Sequence, residues 1–163
     1  MQVAKSIGPR LAEDTVAATI NGVLTDATSE ITENSELILH TGSSEEGHDV
    51  LLHSTAHLMA QAVKSIWPKS QITIGPTIEN RFYYDFDIDG TFSDEDLIKI
   101  ENKMKEIASE NLSVSRSELD RDEAIKLFEK RGENYKVEII NEIESSDQIS
   151  AYKQGDFIDL CRG

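Results

Sequence analysis

Apolar residues recur along this chain with two different periods, and the changes of period divide it into elements. Val3, Ala4 and Ile7 are spaced as one helix face, which Gly8-Pro9 breaks; Leu11 and Ala12 continue as a short second turn. Residues 17–20, then Asn21-Gly22, then Val23-Leu24 predict a hairpin, since Asn-Gly suits the two positive φ angles of a type I′ turn. Residues 36–40 predict a third strand, and the small, polar, acidic run 42–47 a linker, with Ser44 placed to cap the next helix. From His48 to Trp67 there is no Gly or Pro, and Val50, Leu51, Leu52, Leu58, Met59, Ala60, Ala62 and Val63 predict one long helix.

After Pro68 the period changes. Residues 71–74 and 82–88 predict a hairpin turning at Gly75-Pro76, with Tyr84, Phe86 and Ile88 on one face and Tyr83, Asp85 and Asp87 on the other. Ser93 with Asp96 resembles a capping box opening a helix to about residue 111, whose buried stripe is Leu97, Ile100, Met104 and Ile107. Residues 112–117 predict a short strand. Residues 120–130 predict a helix with Ala124, Leu127 and Phe128 inward, stopped by Arg131-Gly132. Residues 133–143 fit helix or strand alike. Two closing strands, 149–152 and 157–161, flank Gln154-Gly155-Asp156. These elements predict an antiparallel sheet packed against three helices, an α+β fold.

Composition narrows the setting. The 163 residues suffice for one average or two small domains, and 38% apolar with 29% charged residues suits a globular chain. There is no apolar run of membrane-spanning length and no basic-then-apolar leader, so no membrane partner and a cytoplasmic location are expected. One cysteine excludes an internal disulfide framework. The formal charge of −15 argues against a broad phosphate-gripping surface, so any nucleic acid must be held locally.

Candidate chemistry sits in three stretches. His53-Ser-Thr-Ala-His57 places two imidazoles four apart, hence on one helix face; imidazole moves protons near neutral pH and binds metals. Arg131-Gly-Glu-Asn-Tyr-Lys136 contributes a lysine, which by sequence alone is better explained as a solvated helix-end residue, since lysine is mostly exposed. In Asp159-Leu-Cys-Arg-Gly163, strand alternation points Asp159 and Cys161 the same way, although a cysteine between Leu160 and its neighbours also suits a core.

Together with Ile66-Trp-Pro68, Ile74-Gly-Pro-Thr-Ile78 and Phe82-Tyr-Tyr-Asp85, these stretches resemble the amino-terminal region of bacterial threonyl-tRNA synthetases, over essentially the whole chain. The resemblance implies a partial ubiquitin-like TGS domain in 1–42, lacking its first hairpin. It implies an antiparallel-sheet-plus-helices editing domain in 43–163, whose Cys-Arg-Gly-Pro-His motif stops at Gly163. The family's aminoacylation core, with its ATP, Mg and Zn, and its dimer contacts lie outside this chain, so the resemblance implies a ligase fragment.

The implied activity is hydrolysis of seryl-tRNA bearing the threonine anticodon, at the tRNA acceptor end. In that role the resemblance assigns His53 to proton traffic at the terminal ribose hydroxyl. It sets His57 and Cys161 in the same cleft, Lys136 near the scissile ester or its water, Asp159 on the seryl ammonium, and Tyr84 on the water or ester. Alanyl relatives bind zinc with a similar His-His-Cys-His pattern; with the last histidine beyond Gly163, no cofactor and no stoichiometric zinc are expected here. A non-catalytic tRNA-binding or folding module is the alternative.

Overall fold

The computed structural model describes residues 1–144 and 148–161, and the chain forms two compact units. The first comprises Met1–Thr55 with Thr77–Phe82, the second Ala56–Pro76 with Tyr83–Gly163. Helices and small antiparallel sheets are mixed in both, as an α+β fold requires. Among the described residues no helix is long and apolar enough to cross a membrane.

The first unit opens with α1 (Gln2–Ile7) and α2 (Pro9–Asp14), the second beginning on a proline whose missing N–H costs nothing at that position. β1 (Thr15–Ile20) and β2 (Val23–Asp26) form the expected hairpin: Asn21 and Gly22 adopt φ of 50° and 83°, the two positive values a type I′ turn needs. β3 (Leu37–Thr41) pairs with the other edge of β1, giving the order β2-β1-β3.

Helix α3 (Glu45–Ile66) is next in the chain. Ser44 caps it, accepting from the Gly47 amide at 3.1 Å. Gly47 is required there, because a Cβ would lie 2.0 Å from the Thr41 carbonyl oxygen. His40, buried on β3, contacts Thr19 Oγ1 through Nε2 at 2.7 Å and has Nδ1 3.3 Å from Glu46 of the same helix's first turn.

The region after Pro68 departs from the expected single hairpin. β4 (Gln71–Ile72) pairs with residues 86–87 in the second unit, whereas β5 (Thr77–Ile78) pairs with β6 (Arg81–Phe82) in the first. The tight turn is therefore at Glu79-Asn80, with Glu79 at φ 54°, and not at Gly75-Pro76. Gly75 serves instead for close approach: a Cβ there would meet the Tyr84 ring at 2.2 Å.

β7 (Phe86–Asp87) leads to α4 (Asp94–Ser109), whose capping box is complete: Ser93 accepts from the Asp96 amide while Asp96 accepts from the Ser93 amide. Of the expected stripe, Ile100 and Ile107 are buried and Met104 packs beside them on Ala62 and Val63 of α3. Leu97 is 55% exposed, contrary to the periodicity. Phe92, just before the cap, joins that cluster and packs on Trp67 and Phe86, so the apolar cover at this end comes from the loop and not from the first helical turn.

β8 (Val114–Leu119), α5 (Arg121–Lys130), α6 (Asn134–Glu142), β9 (Ile149–Gln154) and β10 (Phe157–Leu160) complete the second unit, with sheet order β10-β9-β8. The ambiguous 133–143 stretch is thus helical. Ile140 and Val137 join Ala124, Phe128 and Ile149 in a second core cluster, and Arg121 caps the end of α6 by donating to the carbonyls of Ile140, Ile143 and Glu144. Gly155, at φ 59°, allows the two-residue turn between β9 and β10.

Candidate functional site

Strand β10 presents the residues from which the site is built. Phe157, Asp159 and Cys161 alternate with Ile158 and Leu160; the latter pair packs into the second core cluster, which turns the former to the opposite face. Cys161 continues this register just beyond the strand, its amide donating to the Ser150 carbonyl at 3.1 Å and its carbonyl accepting from the Ser150 hydroxyl.

Asp159 has no exposed surface, and both its oxygens are engaged. Oδ1 accepts from Nζ of Lys136, and Oδ2 accepts from the Tyr84 hydroxyl at 2.7 Å. The same Oδ2 lies 3.9 Å from Nδ1 of His57. Donor atoms of His57 and Cys161 lie within 4.8 Å of one another, and Tyr152, opposite Asp159 on β9, sets its ring edge-on to the imidazole with centroids 6.1 Å apart. Helix α3 carries His53 one turn before His57, on the same face and half-buried.

Lys136 is not a solvated helix-end lysine. It is fully buried in the first turn of α6, its ammonium 5.3 Å and 5.9 Å from the ring centroids of Phe128 and Phe157. An isolated charge in such surroundings is strongly disfavoured, so the Asp159 carboxylate is what makes a lysine tolerable there.

Sequence reasoning overlooked Glu133, whose side chain is as buried as that of Lys136. Its Oε2 lies 3.2 Å from Nζ of Lys136, and its Oε1 lies 3.4 Å from Nε of the partly exposed Arg131. A signal was present: Glu133 sits three residues before Lys136, the spacing that brings side chains together on a helix. It was unreadable while 133–143 remained open between helix and strand. The expected site residues Tyr84, Lys136, His57, Asp159 and Cys161 thus gather within the second unit. The final two residues of the cysteine motif, Arg162 and Gly163, lie outside the described residues.

Burial, together with the neighbouring Asp159 charge, pushes the Tyr84 hydroxyl far above the usual phenol range. The folded form thus binds this proton more tightly than the unfolded chain does. That contribution to stability is fully present below about pH 10, the unfolded value, and is lost as pH rises above it. Ultraviolet titration at rising pH is expected to show Tyr84 ionising only as the protein unfolds, with Tyr84→Phe abolishing that late step. A wild-type titration in which all four tyrosines ionise while circular dichroism stays native would disprove it.

No protein-family model matches the chain. Along its whole length it is 52% identical to a threonine--tRNA ligase of Carboxydothermus hydrogenoformans. It is 52% identical over 161 residues to that of Marinobacter nauticus, and 48% identical over 163 residues to that of Acidithiobacillus ferrooxidans. Its homologues are therefore threonine--tRNA ligases, and it spans about a quarter of their length, 25–26%.

Proposed function

We propose that this chain is the editing region of a threonine--tRNA ligase and hydrolyses seryl-tRNA made in error. One observation carries the reading: a buried lysine–carboxylate–tyrosine cluster is placed against His57 and beside Cys161. Ester hydrolysis calls for a proton acceptor, a fixed positive group and donors near a developing oxyanion, and these side chains are of those types. The homology to threonine--tRNA ligases supports an aminoacyl ester on tRNA as the substrate.

The need for such a site comes from size. Serine is threonine without a methyl group, and a threonine pocket gains only about 1–3 kcal/mol from that methyl. A second site that admits serine and excludes the larger threonine then supplies the missing discrimination. In the reaction, water oxygen bonds to the seryl carbonyl carbon and the bond to the terminal ribose oxygen breaks. One water proton passes to a base and a proton reaches the ribose oxygen.

His53 is assigned to the proton at the ribose hydroxyl, and His57 and Cys161 to the wall of the cleft. Lys136, Tyr84 and Asp159 form one bonded unit. With Asp159 holding both partners and having no exposed surface, its role in this reading is to orient Lys136, Tyr84 and the His57 ring; a direct grip on the seryl ammonium would require Tyr84 to yield its bond. An acidic chain is expected to hold only the acceptor end, weakly and less so in salt.

The test is deacylation of seryl- and threonyl-tRNA side by side. Faster loss of serine is expected; no hydrolysis of either, or equal rates, would refute the reading, and acceptor-end binding without hydrolysis would mark a binding module instead.

The same site bears on metal. His57 and Cys161, with His53 one helical turn earlier on α3, are donors that zinc accepts, but a closed tetrahedral site takes a fourth ligand, and the neighbouring carboxylate is already spent on Lys136 and Tyr84. We therefore expect well under one zinc per chain in protein purified without chelator. Elemental analysis giving one zinc per chain would overturn this.

A further inference from the structure

The cluster buries a second carboxylate on one ammonium. Lys136 is already matched by Asp159, yet Glu133 is buried against the same ammonium with no exposed side-chain surface. Its Oε2 makes no aligned hydrogen bond. Two cations at the rim attend to it, Arg131 at 3.4 Å and, at longer range, the half-buried Lys64 of α3, whose own ammonium donates to the Ser70 carbonyl. Burying a second carboxylate beside a lysine that has one is a cost to stability, and a neutral residue of the same shape would avoid it. Residues that cost stability in this way concentrate where a group must be held for chemistry.

We infer that Glu133 is a positioning residue for the proposed deacylation, a second carboxylate that restrains the Lys136 ammonium beside Asp159. The geometry states what it does. Lys136 Nζ lies 3.2 Å from Glu133 Oε2 and donates to Asp159 Oδ1, which leaves Asp159 Oδ2 to Tyr84 and His57. Without Glu133 the ammonium is free to move across both oxygens of Asp159, displacing the Tyr84 hydroxyl and altering what faces the imidazole. Arg131 keeps Glu133 in place from the rim, its guanidinium also donating to the Asp156 carbonyl at 3.0 Å.

This inference rests on the deacylase reading, and the experiment separates the two. Glu133→Gln keeps the shape and removes the charge; Glu133→Asp keeps the charge and shortens the reach. Both variants are expected to fold, with Glu133→Gln melting at or above the wild-type temperature. Both are expected to lose kcat on seryl-tRNA by about tenfold or more, with KM within about twofold.

A kcat loss below about fivefold, a loss carried by KM, or failure of Glu133→Gln to fold would each overturn the inference. If the wild-type chain itself proves inactive, the reading fails, and the grip on Lys136 is judged by nitrogen-15 NMR of its ammonium. A signal protected from exchange in wild type and lost in Glu133→Gln supports the grip, and an unchanged signal refutes it.

Discussion

Lys136→Met is expected to destabilise the chain by about 3–5 kcal/mol, the usual cost of removing one partner from a buried charged group. Methionine matches the length of the lysine stem, so packing against Phe128 and Phe157 is largely kept and the loss is electrostatic. What remains is two buried carboxylates, Glu133 and Asp159, with no ammonium between them. The measurement is the urea unfolding midpoint, monitored by circular dichroism. Adding Asp159→Asn to the same chain is expected to recover part of the loss, since the two residues act as one unit and their effects are not additive. A destabilisation under about 1 kcal/mol would mean that the cluster contributes little to holding α6 against β10.

The second large effect concerns activity. His53→Ala is expected to reduce seryl-tRNA hydrolysis to background, a loss in the range of about 10²- to 10⁴-fold that general acid–base groups supply. Alanine is the best helix former and His53 is only half-buried, so α3 is expected to persist and circular dichroism to stay unchanged. An undiminished rate in a folded His53→Ala variant would remove the imidazole from the reaction. The two substitutions are complementary: one unmakes the cluster through stability, while the other leaves the fold and removes only the proposed proton carrier.

The region 71–88 shows where local reading stops being sufficient. Two apolar strand-like runs around Gly75-Pro76 look like a hairpin, because glycine and proline favour turns. In the folded chain, Gly75 is needed to let the backbone lie against the Tyr84 ring, and the turn moves to Glu79-Asn80. The requirement comes from Tyr84, whose place is set by a hydrogen bond to Asp159, 75 positions away. Leu97 makes the same point for a helix. Periodicity assigns it to the buried stripe, but which turns of α4 are covered depends on where α3 and Phe92 lie.

From the sequence alone came whatever depends on neighbours within a turn or two. Asn21-Gly22 dictated the β1–β2 hairpin, Ser93 with Asp96 dictated the start of α4, and an uninterrupted apolar period dictated α3 with its histidines on one face. The pairing of Asp159 with Cys161 on one side of a strand was legible for the same reason, since alternation is a property of the backbone. Tertiary structure decided the charge pattern. Residues 133–143 became a helix by packing on Ala124, Phe128 and Ile149, and only then did Glu133 and Lys136 share a face and reach Asp159. A charge's environment is set by residues distant in the chain that remove it from water, and no local pattern carries that information.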